Sequence, residues 1–318
     1  MVKNIDNARI GIALGSGSAR GWAHIGILRG LAELGIEPQI VSGSSIGALV
    51  GAAYASDLLD EMENLAKAFN WKDAISYLDV SILGGGFIPG DKLQKFFSQH
   101  IKETEIKSLP RRFAAVATDL DSGREIWLQE GNLLDAVRAS AALPGLLTPF
   151  KHNNRWLVDG GIVDPVPISL CRAMGADIVI AVSLNGDIVG KHNRKKNHSP
   201  IITEPEHPNE ENDSSLWDRI SGQMEKTLFQ KKNKLISHLF GDNQHTPGFF
   251  DVIAGSINIM QDRITRSRMA GDPPDILLSP KLSDISLMEF DKGTIAIDEG
   301  KACVKRMHTE LEHLMAAY

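Results

Sequence analysis

The sequence is poor in cysteine and contains no long apolar run, and both absences narrow what the chain can do. Only Cys171 and Cys303 occur in 318 residues, far apart and without metal-ligand spacing, so we expect neither a disulfide scaffold nor a metal site. No stretch reaches the roughly 18 apolar residues that a membrane-spanning helix needs. The first residues lack the apolar segment and cleavage site of a secretory signal. We therefore expect a cytoplasmic, reduced protein without metal or cofactor.

Excess positive charge is also missing. The net charge is −6, with 34 Lys and Arg against 40 Asp and Glu. This balance argues against nucleic-acid binding, which depends on clustered cations that neutralise phosphates. Hydrophobic residues make up 42% and charged residues 23%, as in an ordinary globular chain, and the length permits one large domain with additions or two domains. The oligomeric state cannot be read from these properties.

The stretch from Pro38 to Ala53, PQIVSGSSIGALVGAA, predicts a strand, a tight turn and a helix. A serine at such a turn has its hydroxyl lifted clear of the backbone, so Ser45 is the candidate nucleophile. Gly43 and Gly47 fit because a Cβ at either flank would collide with the neighbouring element. Taken alone, the stretch is also compatible with a serine that only caps an ordinary helix.

A second glycine-rich turn, GSGSARG at residues 15–21, joins a predicted buried strand to a predicted helix. The turn begins at Gly15 and ends at Arg20-Gly21. Dinucleotide and phosphate sites begin in the same way, but neither the G-x-G-x-x-G nor the P-loop spacing is met. We interpret the turn as an oxyanion hole in which the N–H groups of Gly17 and Ser18 face the substrate oxygen that becomes negative. Arg20 would brace the turn or attract an anionic head group.

The segment WLVDGG places Asp159, Gly160 and Gly161 at the end of an apolar strand and supplies the second chemical group. An Asp-Gly turn of this kind is often only a strand terminus. Asp119, at another strand end, is interpreted as the cap of a turn. The histidines after Asp159 lie mostly in a charged insertion or in terminal helices, which disfavours a Ser-Asp-His triad.

Buried strands alternate with helices along the first half of the chain, which predicts an α/β fold with a mostly parallel central sheet. The core is expected to close near Leu184, although a late strand at 275–279 could still join the sheet. The loop at 83–90, which contains three consecutive glycines at 84–86, is interpreted as a mobile connection or lid hinge. Residues 186–215 are charged and poor in apolar side chains, which indicates a flexible insertion, and 216–318 are expected to be mainly helical with a late strand.

Taken together, the glycine turn with its Arg, the serine elbow and the strand-borne Asp-Gly-Gly resemble the patatin-like phospholipase family, in particular bacterial members related to neuropathy target esterase. The resemblance covers residues 10–172 as a catalytic domain, followed by a last core strand region at 173–185. RASAALP at 138–144 and DPVP at 164–167 look like accompanying family segments. The resemblance implies a three-layer α/β/α fold with a nucleophile elbow.

The resemblance also implies a Ser-Asp dyad, which maps onto Ser45 and Asp159, with the oxyanion hole before Arg20. The family often has three consecutive glycines where this chain has Ser16, Gly17 and Ser18. Backbone N–H groups act in the hole, so serine can substitute there if its dihedral angles are ordinary.

The expected function is that of a serine esterase that cleaves carboxylic esters of phospholipids or lysophospholipids through an acyl-enzyme. A buried aspartate can accept the serine proton without a histidine if burial raises its basicity. Two alternatives stay open, namely a non-catalytic regulatory or scaffold protein of the same fold and a Ser-Asp-His hydrolase.

The region after Leu184 is expected to be an addition that controls access or docking. Four lysines at 226–234 lie next to apolar residues at 228–229 and 235–236, a pattern that suits peripheral contact with an anionic membrane surface. A solvated helix face packed on the core explains the same pattern equally well.

Overall fold

The structure, a computed structural model, describes residues 8–69, 104–144, 147–187 and 249–317. Its strands are β1 Ile10–Leu14, β2 Ile40–Ser44, β3 Arg112–Asp119, β4 Glu125–Leu128, β5 Phe150–His152, β6 Arg155–Asp159, β7 Ile178–Val182 and β8 Ile276–Leu278. Its α-helices are α1 Ala23–Glu33, α2 Ile46–Ala55, α3 Leu59–Ala68, α4 Leu133–Ser140, α5 Ile168–Ala173, α6 Phe249–Gly271, α7 Gly293–Arg306 and α8 His308–Ala317. None of these helices is both long and apolar enough to cross a bilayer.

The chain divides into two compact units, Met1–Lys191 with Asn258–Tyr318 and His192–Ile257. Every residue of the site described below belongs to the first unit.

The central sheet is mixed and mostly parallel, as expected. Strand β1 lies between β2 and β7 and is parallel to both, while β3 continues the parallel order beyond β2. Three pairings are antiparallel, those of β4 and β6 with β3 and of β5 with β6. The parallel strands therefore direct their carboxyl ends to one edge, where sites of open α/β sheets collect.

Both faces of the sheet are covered, which gives the three layers. Along β1 the side chains alternate, so that Ile12 and Leu14 join the larger hydrophobic core while Ala13 joins a second core with residues of α5. Strand β7 divides its side chains in the same way. Strands buried on both faces read as continuous apolar runs, which is why these two were recognisable from sequence.

The expectation that the core closes near Leu184 is wrong. Strand β8 pairs in parallel with β7 and extends the sheet. Helix α7 lies so close to α1 that a Cβ on Gly26 would overlap the Ile297 carbonyl, and a Cβ on Gly300 would overlap the Ala23 carbonyl. The end of the region that is expected to be mainly helical forms two helices, because α7 ends at Arg306 and α8 begins at His308.

Several sequence predictions lie outside the described residues. They are the lid hinge at 83–90, almost all of the charged insertion at 186–215, and the lysine-rich segment at 226–236. Two histidines after Asp159 that a Ser-Asp-His triad could use, His207 and His238, lie outside them as well.

Candidate active site

Ser45 lies on a strained turn between β2 and α2. Its φ of 57° and ψ of −123° fall in a region that non-glycine residues rarely adopt. A Cβ on Gly43 would come within 2.5 Å of the Ala48 nitrogen, and one on Gly47 would overlap the Leu14 carbonyl. The predicted strand-turn-helix is confirmed, and both glycines are required by the close approach of the elements they join.

The Ser45 backbone N–H donates a hydrogen bond of 2.9 Å to the hydroxyl of Ser140. Ser140 is fully buried at the end of α4. Sequence reasoning placed this serine in a family segment but gave it no role. Its bond to the elbow fixes the peptide that carries the candidate nucleophile.

Strands β2 and β6 meet end to end along one edge of β3. Val116 of β3 pairs with Ser44 on one edge and with Trp127 of β4 on the other. The next residue of β3, Ala117, pairs with Ile126 of β4 on one edge and with Asp159 of β6 on the other. Strand β6 therefore pairs with the edge of β3 that β2 occupies only as far as Ser44. The antiparallel direction of β6 thus brings its last residue beside the elbow.

The Asp159 carboxyl is fully buried and accepts two hydrogen bonds. Its Oδ2 accepts from the Ser45 hydroxyl at 2.5 Å, and its Oδ1 accepts from the Gly161 N–H at 2.7 Å. Burial raises the pKa of Asp159 from 3.8 to about 6, against the two hydrogen bonds, which lower it. The arrangement holds a carboxyl of increased basicity against a serine hydroxyl.

The glycine turn leaves two N–H groups available. The N–H groups of Gly15, Ser16 and Ala19 donate to backbone carbonyls at 3.1, 2.8 and 3.1 Å, respectively. Those of Gly17 and Ser18 donate to no acceptor in the described part of the chain. Ser18 has a φ of 52°, so the condition of ordinary dihedral angles is not met there, and the position favours glycine on conformational grounds.

Two buried side chains fix the peptide planes of this turn. The Nε of Arg20 donates to the Gly17 carbonyl at 3.2 Å, and the Nε2 of His24 donates to the Gly15 carbonyl at 2.7 Å. Burial lowers the pKa of His24 to about 4, so its ring is neutral. Because C=O and N–H point in opposite directions across a trans peptide, the bond from Arg20 turns the Ser18 N–H away from the guanidinium.

Arg20 is only 1% exposed. Its hydrogen bond to the Gly17 carbonyl braces the turn, which is one of the two roles that the sequence predicted for it. The other prediction, attraction of an anionic head group, is wrong because the guanidinium does not reach solvent. Burial also lowers its pKa to about 10.

The remaining motif glycines lie where elements approach closely. A Cβ on Gly160 would overlap the Val116 carbonyl, and one on Gly21 would overlap the Ile46 side chain. Gly160 therefore lets the chain turn against β3 directly after Asp159, and Gly21 lets the glycine turn pack on the helix that follows the elbow.

Helix α6 contacts this site, which the sequence did not predict. Asn258 accepts a hydrogen bond of 2.7 Å from Arg20, and Gln261 accepts one of 2.9 Å from Asn185. Arg268 pairs with Asp164 at 3.1 Å. The expectation that the chain after Leu184 is a separate addition is wrong for this part of α6.

No histidine in the described segments hydrogen-bonds to Ser45 or Asp159, and these segments contain no cluster of side chains that could hold a metal ion. Asp119 accepts hydrogen bonds from the N–H groups of Asp121 and Ser122 at 3.1 and 3.2 Å. It therefore caps a turn, as expected.

Comparison with known proteins identifies the family. Residues 12–172 match the family model described as patatin-like phospholipase. An uncharacterized NTE family protein of Mycobacterium tuberculosis is 32% identical over 333 residues, covering 95% of this chain and 91% of that protein, and one from Mycobacterium bovis aligns equally well. A lysophospholipase of Emericella nidulans is 30% identical over 58% of this chain but only 12% of its own length.

Among solved structures, VipD from Legionella pneumophila aligns with a TM-score of 0.43 at 12% identity, over 94% of this chain and 66% of that one. The family match spans half of the chain and includes the elbow, the glycine turn and the Asp-Gly-Gly segment, and the mycobacterial relatives extend the similarity over nearly its whole length. The chain therefore belongs to the patatin-like phospholipase family of ester hydrolases.

Proposed function

We propose that this protein is a serine esterase that cleaves carboxylic esters of phospholipids or lysophospholipids, with Ser45 as nucleophile and Asp159 as base. The observation that carries the proposal is the 2.5 Å hydrogen bond from the Ser45 hydroxyl to the buried Asp159 carboxyl. A hydroxyl at its ordinary pKa is a weak nucleophile and needs a base within hydrogen-bond reach.

In the first half-reaction the Ser45 oxygen attacks the ester carbonyl carbon while its proton moves to Asp159 Oδ2. The resulting tetrahedral intermediate collapses, the carbon–oxygen bond to the alcohol breaks, and Asp159 returns the proton to the departing alcohol. Ser45 is left acylated. A base with a pKa of about 6 is ionised at neutral pH and is still basic enough to share the proton during attack.

The negative oxygen of the intermediate needs donors that are already oriented. We assign this role to the N–H groups of Gly17 and Ser18, because they are available and because Arg20 fixes the peptide plane between them. Loss of one such donor costs on the order of 10²–10³ in kcat in enzymes of comparable chemistry.

Water completes the cycle by attacking the acyl carbonyl of Ser45. Asp159 accepts a proton from the water, the acyl–oxygen bond breaks, and the proton returns to the Ser45 oxygen as the fatty acid leaves. The same two residues therefore serve both half-reactions.

The substrate class rests on the relatives. The fungal proteins that match 58–59% of this chain are named lysophospholipases, so a monoacyl phospholipid is the first substrate to test. We propose in addition a peripheral contact with anionic membranes through the lysines at 226–234. Weaker sedimentation with anionic liposomes after neutralising those lysines would support that contact.

A fluorophosphonate probe, followed by mass spectrometry of the labelled peptide, tests the nucleophile directly. We expect labelling at Ser45 in the wild type, none in Ser45→Ala, and full labelling in the control Ser122→Ala, which alters an exposed serine. Hydrolysis of lysophosphatidylcholine should be lost in Ser45→Ala and in Asp159→Asn. Undiminished hydrolysis in folded Ser45→Ala would reject the assignment.

The pH dependence provides a second test. Activity requires ionised Asp159, so kcat/KM should rise with pH and level off above an acidic limb near pH 6. A limb near pH 4 would show that the carboxyl titrates as an exposed aspartate.

A further inference from the structure

Three polar atoms converge on one point above Gly161. The position that a Cβ on Gly161 would occupy lies 2.5 Å from Nε2 of Gln261, 2.8 Å from Oγ of Ser16 and 2.9 Å from Oδ1 of Asp159. Gly161 itself donates its N–H to that Oδ1. The Gln261 amide nitrogen therefore lies close to the Gly161 peptide, on the same side as the oxygen of the proposed base that this peptide holds.

The Gln261 side chain is oriented by a second amide. Its Oε1 accepts a hydrogen bond of 2.9 Å from Nδ2 of Asn185, which follows β7 at the carboxyl edge of the sheet. This bond leaves the two N–H groups of Gln261 Nε2 on the side of Gly161. These N–H groups thus lie on the same side of Gly161 as the acceptors Asp159 Oδ1 and Ser16 Oγ but form no hydrogen bond with either, so their influence on the carboxylate is that of a nearby amide dipole.

The Ser16 hydroxyl is buried and has no hydrogen-bond partner among the described residues. A buried hydroxyl without a partner is costly, so its place beside the Gln261 amide is a feature that needs explanation.

Helix α6 is anchored on both sides of Gln261. Asn258, three residues earlier, bonds Arg20 of the glycine turn. Arg268, seven residues later, pairs with Asp164 and with Glu125 of β4. Gln261 is 5% exposed, so it has little freedom to leave its place above Gly161.

We propose that Gln261 is a positioning residue for the esterase reaction, which holds the Gly161 peptide and the Asp159 carboxyl in the orientation that directs Oδ2 at Ser45. The proposal rests on the proposed function. It assigns a role in the reaction to a residue outside the 12–172 segment that carries the family motifs.

The charged side chains near the carboxyl do not supply this role. Ser45 and the Gly161 N–H bond it directly and carry no charge. Charged or titratable side chains on the elements packed around it bond elsewhere: Arg20 and His24 to the glycine turn, Arg138 to Thr148, Asp119 to Arg155, Asp262 to Arg266, and Asp164 with Glu125 to Arg268.

Gln261→Glu gives the sharpest test because it keeps the size of the side chain and adds a charge beside Asp159. A like charge at this range raises the apparent pKa of a carboxyl, so the acidic limb of kcat/KM should move up by about 1 pH unit or more. The control Ser267→Glu places the same charge on an exposed position of α6 and should leave the limb where it is.

Gln261→Met separates positioning from packing. It keeps the volume but removes the donors, and we expect kcat to fall about 10-fold with KM changed less than about 2-fold, since removing a group that orients a reacting side chain typically costs about this much. Circular dichroism and thermal unfolding establish that each variant is folded.

The outcomes are distinguishable. If folded Gln261→Glu keeps the wild-type limb and Gln261→Met keeps the wild-type kcat, the inference is overturned while the esterase function stands. If the wild type itself shows no Ser45-dependent hydrolysis and no probe labelling, the proposed function fails first. A moved limb in Gln261→Glu together with a reduced kcat in Gln261→Met supports the positioning role.

Discussion

Replacing Asp159 by asparagine should stabilise the fold while it abolishes activity. The carboxyl is fully buried, and burial raises its pKa from 3.8 to about 6. Asparagine keeps the shape, with Oδ1 able to accept from Gly161 and Nδ2 able to donate to the Ser45 oxygen. It removes the charge that the folded state must otherwise bury.

The magnitude follows from the shift in pKa. A raised pKa means that the folded protein binds a proton more tightly than the unfolded chain between about pH 4 and pH 6, so the free energy of unfolding falls as pH rises through this range. A shift of about 2 units corresponds to about 3 kcal/mol. The variant has no carboxyl to ionise at this position, so its free energy of unfolding should rise relative to that of the wild type by about 3 kcal/mol from pH 4 to pH 8.

Urea unfolding of the wild type and Asp159→Asn, followed by tryptophan fluorescence at pH 4, 6 and 8, measures this difference. Taking the difference between the two proteins cancels the titration of groups that they share. A stability difference that stays constant across the three pH values would refute the reasoning, because it would mean that the carboxyl has the same pKa in the folded and unfolded chains.

Three further predictions concern the backbone of the site. Ser45→Gly should be inactive yet about 1 kcal/mol more stable than Ser45→Ala in urea unfolding, because glycine adopts the φ of 57° without strain; equal stabilities would contradict a strained elbow. Gly47→Ala should cost more than about 2 kcal/mol, because its Cβ would overlap the Leu14 carbonyl, whereas Gly123→Ala, at a φ of 67° in open space, should cost only about 1 kcal/mol. Arg20→Ala should lower kcat at least several-fold, and by the same factor on neutral and anionic esters, because its guanidinium is buried; a selective loss on anionic esters would restore the head-group role.

The sequence was sufficient for the local features of the site. The strand, turn and helix around Ser45 follow from residues close together in the chain. Glycine is needed at 43 and 47 because a Cβ at either position would overlap the neighbouring backbone. Strands β1 and β7 appear as short apolar runs because both of their faces are buried. Short-range patterns of this kind depend on backbone geometry and burial and can therefore be recognised in the sequence.

Only the tertiary structure decided how distant residues meet. Asp159 reaches Ser45 because β6 runs antiparallel along the edge of β3 that β2 leaves, a pairing that no local pattern specifies. The bond of Ser140 to the elbow and the approach of Gln261 to Gly161 join residues about 95 and 100 positions apart. Polar side chains on a helix look alike in sequence whether they face solvent or a buried carboxyl, so only the packing of α6 on the sheet distinguishes Gln261 from its neighbours.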